Sequence, residues 1–254
     1  MSAPQAPIVD IIGHRCYHAR MGSKTPKVTF IVPTNRHEVK WLVNDILSIF
    51  PTAKIVIIDD GKGLRKPSSE QVILVKHRHN LGLAISLKDG YLKALTTNPD
   101  IIVRADADKE YPLYPVKHLI SKLYESEDFS GCYVETKRTV ETSGVADWLF
   151  HTIFGIIEGR ILFNKIMHQH SPGLHIYKYS TVRYFAPLLS SIIEKYQLKW
   201  GLDLIILFFA GQTGEIMQFT ANNPDWRERR PVTKIFSQIK HATKIMSLIR
   251  QNRI

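Results

Sequence analysis

Ile101-Ile102-Val103-Arg104-Ala105-Asp106-Ala107-Asp108 is an apolar, β-branched run that ends in two carboxylates one residue apart. Along an extended strand, alternate side chains point to opposite faces. The acidic pair therefore belongs where the strand stops and the chain bends, so that both carboxylates approach one point. Two hard oxygen ligands at the mouth of a sheet suit Mg²⁺ or Mn²⁺. Alone, the same residues also fit a solvated turn, because Asp is common in turns. The surrounding sequence decides between the two.

Three further short apolar runs lie upstream. Val28 to Val32 is stopped by Pro33, Ile55 to Ile58 runs into Asp59-Asp60-Gly61, and Val72 to Val75 follows. Helical spacing separates them: Glu38 to Phe50 places Val39, Leu42, Val43, Ile46, Leu47 and Phe50 on one side, and Leu83 to Leu95 repeats the pattern. Continuous apolar strands alternating with helices predict a parallel sheet covered on both faces. Ligands in such sheets bind beyond the carboxyl ends of the strands. Pro33-Thr34, Asp59-Asp60 and Asp106-Asp108 all fall at those ends, so they are predicted to line one crevice.

The second half is less regular. Helices are predicted over Pro115 to Tyr124, Val145 to Ile166, Tyr179 to Tyr196 and Leu202 to Gly211, with strands at Gly131 to Thr136 and Glu215 to Phe219. Thr233 to Arg250 reads as a closing helix. It carries Ile235, Ile239, Ala242, Met246 and Ile249 on one face and Lys234, Lys240, Lys244 and Arg250 on the other. The expected division is an irregular lead-in over 1–26, one α/β domain over 27–232 and a basic amphipathic helix over 233–254.

A chain of 254 residues with 44% hydrophobic and 22% charged residues can bury a sizeable core. Cys16 and Cys132 have no metal-ligand spacing and no partners for a disulfide framework, which fits a reducing compartment. The first 27 residues lack the apolar centre of a signal peptide. No stretch reaches the roughly 18–20 apolar residues that span a bilayer; Val145 to Phe163 is broken by Asp147, His151, Glu158 and Arg160. A formal charge of +11 favours an anionic partner, whether nucleotide phosphates, an acidic membrane surface or nucleic acid. A non-enzymatic nucleic-acid module would show a stacking motif, a helix-turn-helix or a zinc finger, and none is present. A nucleotidyltransferase would open on a Gly-rich loop, and Val32 to Glu38 has no glycine.

The motifs carry a resemblance. Val28-Thr29-Phe30-Ile31-Val32-Pro33-Thr34, Val56-Ile57-Ile58-Asp59-Asp60-Gly61, Asn80-Leu81-Gly82-Leu83-Ala84 and Ala105-Asp106-Ala107-Asp108 come in the order seen in family-2 glycosyltransferases of the GT-A fold. Ser171-Pro172-Gly173-Leu174-His175-Ile176-Tyr177-Lys178 resembles the Ser-Gly-Phe-Arg-x-Tyr-Arg region of the polyprenyl- and dolichyl-phosphate sugar synthases. Gly201-Leu202-Asp203, Ala210-Gly211 and Gly214-Glu215-Ile216 are similar to a later block of the same group. The resemblance spans roughly Lys27 to Arg250.

That resemblance implies a Rossmann-like, mostly parallel central sheet flanked by helices, with C-terminal amphipathic helices. It also implies an inverting, metal-dependent hexosyl transfer from a UDP- or GDP-sugar to an acceptor. A polyprenyl phosphate at a membrane surface is the first choice of acceptor, ahead of nucleic acid or a soluble glycan. Pro33 and Thr34 would floor the nucleotide pocket. Asp60 would hydrogen-bond the base, with Asp59 in support, and Asn80 and Gly82 would lie beside the nucleotide. Asp106 would contact the ribose or the metal, and Asp108 would hold the metal between the two phosphates.

Asp203 stands where many relatives carry a general base. A phosphate acceptor, already an anion, would need none, and Asp203 would then position a cation. Arg227, Arg229, Arg230 and Lys234 occupy the place of an Arg…Ser-Lys stretch that grips diphosphate or acceptor phosphate, with Arg229 counted beside Asp203 as catalytic. Lys178 would act likewise near Gly173.

Departures from the family pattern are a displaced Glu38, Lys62 after Gly61, Ala84 in place of a second glycine, and the loss of an Asp from His168-Gln169-His170-Ser171-Pro172-Gly173. They bear on the acceptor, the base and the sugar. His168, His170 and His175 read as loop or acceptor-pocket histidines, because no Cys or Glu-x-x-His companion supports a metal site. Val145 to Ile166 and Thr233 to Arg250 fit either interfacial helices on an anionic membrane or ordinary core packing. The expected setting is cytoplasmic, with peripheral attachment to the membrane's cytoplasmic face, and no obligate protein partner is indicated.

Overall fold

The computed structural model describes residues 25–36, 38–108, 110–136, 139–163, 166–167, 169, 172–221 and 232–251. The apolar runs become β1 (Val28–Thr34), β2 (Lys54–Asp59), β3 (Val72–Lys76) and β4 (Ile101–Ala105). They pair in parallel in the order β3-β2-β1-β4. Both faces are covered, which is why the runs do not alternate with polar residues. Phe30, Val32, Ile55 and Ile57 pack on one side with α1 (Lys40–Ile49) and α3 (Val116–Glu125). Ile31, Val56 and Ile58 pack on the other with α2 (Leu83–Leu95).

β5 (Phe129–Thr136), β6 (Leu174–Lys178) and β7 (Glu215–Ala221) complete a seven-stranded sheet, ordered β3-β2-β1-β4-β6-β5-β7. β6 lies antiparallel between β4 and β5, while β5 and β7 are parallel. β6 is a strand that the sequence analysis treats only as a motif. The remaining helices are α4 (Val140–Ser143), α5 (Val145–Phe163), α6 (Tyr179–Phe185), α7 (Leu189–Tyr196), α8 (Leu202–Thr213) and α9 (Val232–Arg250). The single helix expected over 179–196 is divided by a 3₁₀ turn at Ala186–Leu188. Pro187 cannot donate the helical hydrogen bond, and its ring crowds the preceding turn.

Of the two readings open for the C-terminal helix, its apolar face follows core packing. α9 packs on α5 and α8, and Ala242, Ile245, Met246 and Ile249 are buried. Gly201 makes room for it: a Cβ there would collide with Ile245 Cδ1. The apolar face of α9 is thus taken up by the protein, while Lys240, Lys244 and Arg250 remain exposed. Among the described residues, no helix is long and apolar enough to cross a membrane.

Candidate active site

Strand register brings the acidic motifs to one edge. Thr34 pairs with Asp59, and Ile31 pairs with Arg104 two residues before Asp106. Adjacent strands lie about 4.8 Å apart, so the ends of β2, β1 and β4 fall within about 10 Å of one another along that edge. The chain winds outward from β1 to β2 and β3, then crosses back from β3 to β4 on the other side of β1, and the switch between β1 and β4 is where open α/β sheets form a binding crevice.

Asp59 and Asp60 hold loops. Asp59 is fully buried, and its carboxylate accepts from the backbone N–H groups of Lys62 (2.9 Å) and Leu64 (2.6 Å). Asp60 accepts from the N–H of Leu81 (2.8 Å) and of Gly82 (3.0 Å), and its Oδ1 lies 2.9 Å from His77 Nδ1. The opposite nitrogen of His77 is 3.1 Å from Asp89 Oδ2. The resemblance has Asp60 accept from a nucleotide base; here both of its oxygens are engaged by the protein, and the residue is 5% exposed. Its carboxylate instead ties the end of β2 to the Asn80–Gly82 segment. Gly61 has φ +82°, and a Cβ there would sit 2.5 Å from the Asn80 nitrogen, so the two motifs touch through backbone that only glycine permits. Thr34 closes the same corner, its carbonyl accepting from Asp60 N (2.8 Å) and its hydroxyl from Arg36 N (3.0 Å). Asn80 is exposed beside it.

The centre of the site is a residue the sequence analysis passes over. Arg104 is the one charge within β4, and its side chain is 1% exposed. Its Nη2 donates to both oxygens of Asp106, at 2.9 and 3.1 Å, and its Nη1 lies 3.0 Å from Asp203 Oδ1. Asp203 stands in the first turn of α8. One guanidinium therefore binds the first carboxylate of the Asp-x-Asp pair to an acid 97 residues later in the chain, as a planar fork can. Tyr91, Tyr177 and Phe185 form an aromatic cluster in the same region of the core, with ring centroids 5.1 to 6.3 Å apart. Burial raises the Asp106 carboxyl; Arg104 opposes that rise, Asp108 and Asp203 add to it, and the net position is about 7. The only signal for Arg104 in the sequence is a cation inside an otherwise apolar strand.

β6 completes the wall. Asp106 N donates to Gly173 O (3.2 Å), and a Cβ on Gly173 would collide with Asp106 Oδ2. Gln169 then fixes the chain beyond the acidic pair. Its Oε1 accepts from Thr136 N (2.8 Å), and its Nε2 donates to Glu110 (2.8 Å) and to the Tyr111 hydroxyl (2.7 Å). Asp108 is partly exposed and accepts from Glu110 N at 3.1 Å. Among the described residues, no cluster of three or more metal-ligating side chains is present.

Register places two of the singled-out residues away from the end of β4. Lys178 pairs with Ile101, whereas Leu174 pairs with Ala105. Five residues along a strand separate Lys178 from Gly173, about 16 Å, and its Nζ donates to the Ser126 carbonyl at the opposite end of the sheet. Lys178 therefore does not reach the crevice. His175 is no pocket histidine: it pairs with Arg104 in mid-sheet, is fully buried and lies 3.0 Å from the Tyr177 hydroxyl. Burial, reinforced by Arg104, holds it well below the usual imidazole range. Arg227, Arg229, Arg230, His168 and His170 lie outside the described residues, as does the side chain of Lys234.

No family model matches the chain, and no curated protein matches it in sequence. Solved structures do match. Mannosyl-3-phosphoglycerate synthase from Rubrobacter xylanophilus aligns over 90% of this chain and 76% of its own, with a TM-score of 0.55 at 11% identity. This is the GT-A fold. Two further structures align more loosely, and the assignment does not rest on them. A mannosyltransferase from Pyrobaculum calidifontis in complex with GDP-Man and Mn²⁺ has a TM-score of 0.43 at 15% identity, over 82% of this chain and 57% of its own. A mannose-1-phosphate geranyltransferase from Thermus thermophilus has 0.47 at 11%, over 78% and 75%. In this GT-A sheet, Asp106 follows the end of β4 against Gly173, and Arg104 ties it to Asp203.

Proposed function

We propose that this chain is a glycosyltransferase that moves a sugar from a nucleoside-diphosphate sugar to an acceptor, with inversion at the anomeric carbon. The observation that carries the reading is the Arg104 bridge, which brings Asp106 and Asp203 together at the ligand-binding edge of a GT-A sheet. The mannosyl transfer named for the Rubrobacter structure supports the same class of chemistry.

The residues suit a divalent cation. Mg²⁺ and similar ions are commonly held by one or two carboxylates, with phosphate oxygens and water completing the shell. Asp108 is partly exposed, and Asp106 is raised by burial and by its acidic neighbours, a position that a cation would relieve. Asp106 and Asp108 would hold the ion, which would neutralise charge on the departing diphosphate. Arg104 fixes the carboxylate of Asp106, so the geometry does not have to be assembled on binding. Thr34 and the Asp60-clamped Asn80–Gly82 segment would form the nucleotide side of the crevice.

Asp203 is oriented by Arg104. For an acceptor hydroxyl it would take the proton; for a phosphate, already an anion near neutral pH, it acts by position alone. A polyprenyl phosphate is the acceptor we favour, on the resemblance of the 171–178 and 201–216 segments. Arg227, Arg229, Arg230 and Lys234 would then grip phosphate.

A thermal-shift screen with UDP-, GDP- and CMP-sugars, with and without Mn²⁺, tests this. Ligand at a hundredfold excess over Kd should raise the unfolding midpoint by about 5–10 °C, only with metal and not in Asp108→Asn. The absence of any shift, or an unchanged shift in that variant, would overturn the proposal.

A further inference from the structure

Tyr91 carries a hydroxyl that the folded chain leaves unused. It stands on the buried side of α2, fully enclosed, with its ring centroid 5.1 Å edge-on from Phe185 and 6.3 Å from Tyr177. Among the described residues, the hydroxyl meets no hydrogen-bond partner. The Tyr177 hydroxyl in the same cluster does, at 3.0 Å from His175 Nδ1. Buried polar atoms are paired in the great majority of cases, and each exception calls for a reason. A phenylalanine would keep the ring contacts and bury no unpaired oxygen.

The surroundings supply the reason. Burial raises the Tyr91 phenol above its ordinary range; Arg104 opposes that rise, and Asp203 and Asp106 add to it. The group keeps its proton and remains a donor in the field of two carboxylates. The Nε–H of Arg104 is likewise without a partner among the described residues, so unused donors gather about the Arg104–Asp203 pair. Asp203 is 4% exposed in the first turn of α8, and α8 packs on α2. Backbone joins the two helix starts as well. Ala84 N, in the first turn of α2, donates to Lys199 O (3.2 Å), four residues before Asp203, and a Cβ on Gly82 would lie 3.2 Å from the same oxygen. A nucleotide held by the Asn80–Gly82 segment would therefore press on the chain that leads into α8. Hydrogen bonds of this kind are often long in an unliganded site and tighten on binding. We propose that Tyr91 is a positioning residue for Asp203, its hydroxyl donating to that carboxylate once the nucleotide sugar and its cation occupy the crevice. Arg104 holds Asp203 in the unliganded chain, and Tyr91 adds a second fixed donor in the loaded one. This role rests on the sugar-transfer reading.

The test compares Tyr91→Phe with Tyr177→Phe, which loses a paired hydroxyl from the same aromatic cluster. Without ligand, Tyr91→Phe should raise the unfolding midpoint by about 2–4 °C, and Tyr177→Phe should lower it. Calorimetric titration with Mn²⁺ and the UDP- or GDP-sugar that stabilises the wild type should show Tyr91→Phe binding roughly tenfold more weakly. A tyrosine with a purely structural role would not give a more stable chain that binds less well. In an Asp203→Asn background the further loss should shrink to about twofold or less, because the anionic acceptor is gone. A lowered or unchanged midpoint in Tyr91→Phe would show a hydroxyl already satisfied in the unliganded chain and overturn the proposal. So would wild-type affinity in Tyr91→Phe, or a tenfold loss that persists beside Asp203→Asn. Sugar-nucleotide binding by the wild type with Tyr91→Phe unaffected removes this role alone. No binding by the wild type, with or without Mn²⁺, removes the transfer reading and this role with it.

Discussion

Replacing Arg104 tests the centre of the site. Its fork makes two contacts to Asp106, at 2.9 and 3.1 Å, and one to Asp203, at 3.0 Å, from a side chain 1% exposed. Arg104→Met removes the cation and leaves two carboxylates without it. Breaking a buried ion pair in this way costs about 3–5 kcal/mol, a large part of an ordinary stability of about 5–15 kcal/mol. Arg104→Lys keeps the charge, but a single ammonium cannot span both acids as the fork does, and the loss of a charge-assisted hydrogen bond should cost about 1.5–3 kcal/mol. The decisive measurement is a double-mutant cycle by urea unfolding. In an Asp203→Asn background, Arg104 already lacks one of its anions, so Arg104→Met should cost about 1.5–3 kcal/mol less than in the wild type. Additivity within about 0.5 kcal/mol would refute the interaction of Arg104 with Asp203.

Other outcomes follow from neighbouring contacts. Gly173→Ala, whose Cβ would run into Asp106 Oδ2, should destabilise by about 1–3 kcal/mol and abolish metal-dependent nucleotide binding; wild-type binding by calorimetry would contradict the close approach. Asp60→Asn presents an amide to N–H donors at 2.8 and 3.0 Å. It should cost about 1–3 kcal/mol and speed amide exchange at Leu81 and Gly82, and unchanged exchange would dismiss the clamp. His175 is held neutral by burial and Arg104, so protons bind more readily to the unfolded chain as pH falls below the normal imidazole value. That group should remove stability between about pH 6.5 and pH 5, by up to about 2 kcal/mol. The loss should be shallower in His175→Gln, and equal slopes in urea titrations of the two proteins would contradict it.

β1, β2 and β4 were legible because burial on both faces demands apolar residues at every position, and Val28–Val32, Ile55–Ile58 and Ile101–Val103 meet that demand in plain sequence. The Asp-x-Asp pair was legible for a local reason, as it ends such a run. β6 was less so. Its alternation of Leu174 and Ile176 with His175 and Tyr177 is short, and the buried histidine reads as polar until its pairing with Arg104 is known. The partners of Asp60 and the position of Lys178 were not legible, because hydrogen bonding and register are set by how the chain closes.

Local periodicity and composition thus determined the strand–helix order of the first half, the sheet class and the edge at which the acids gather. Tertiary structure alone decided that Arg104 joins Asp106 to Asp203, and that α5 turns Asp147, His151 and Glu158 inward while its isoleucines face out. Both depend on contacts between residues far apart in the chain. A pattern of spacing shows that a helix has two faces, but only the surface packed against it selects which face is buried.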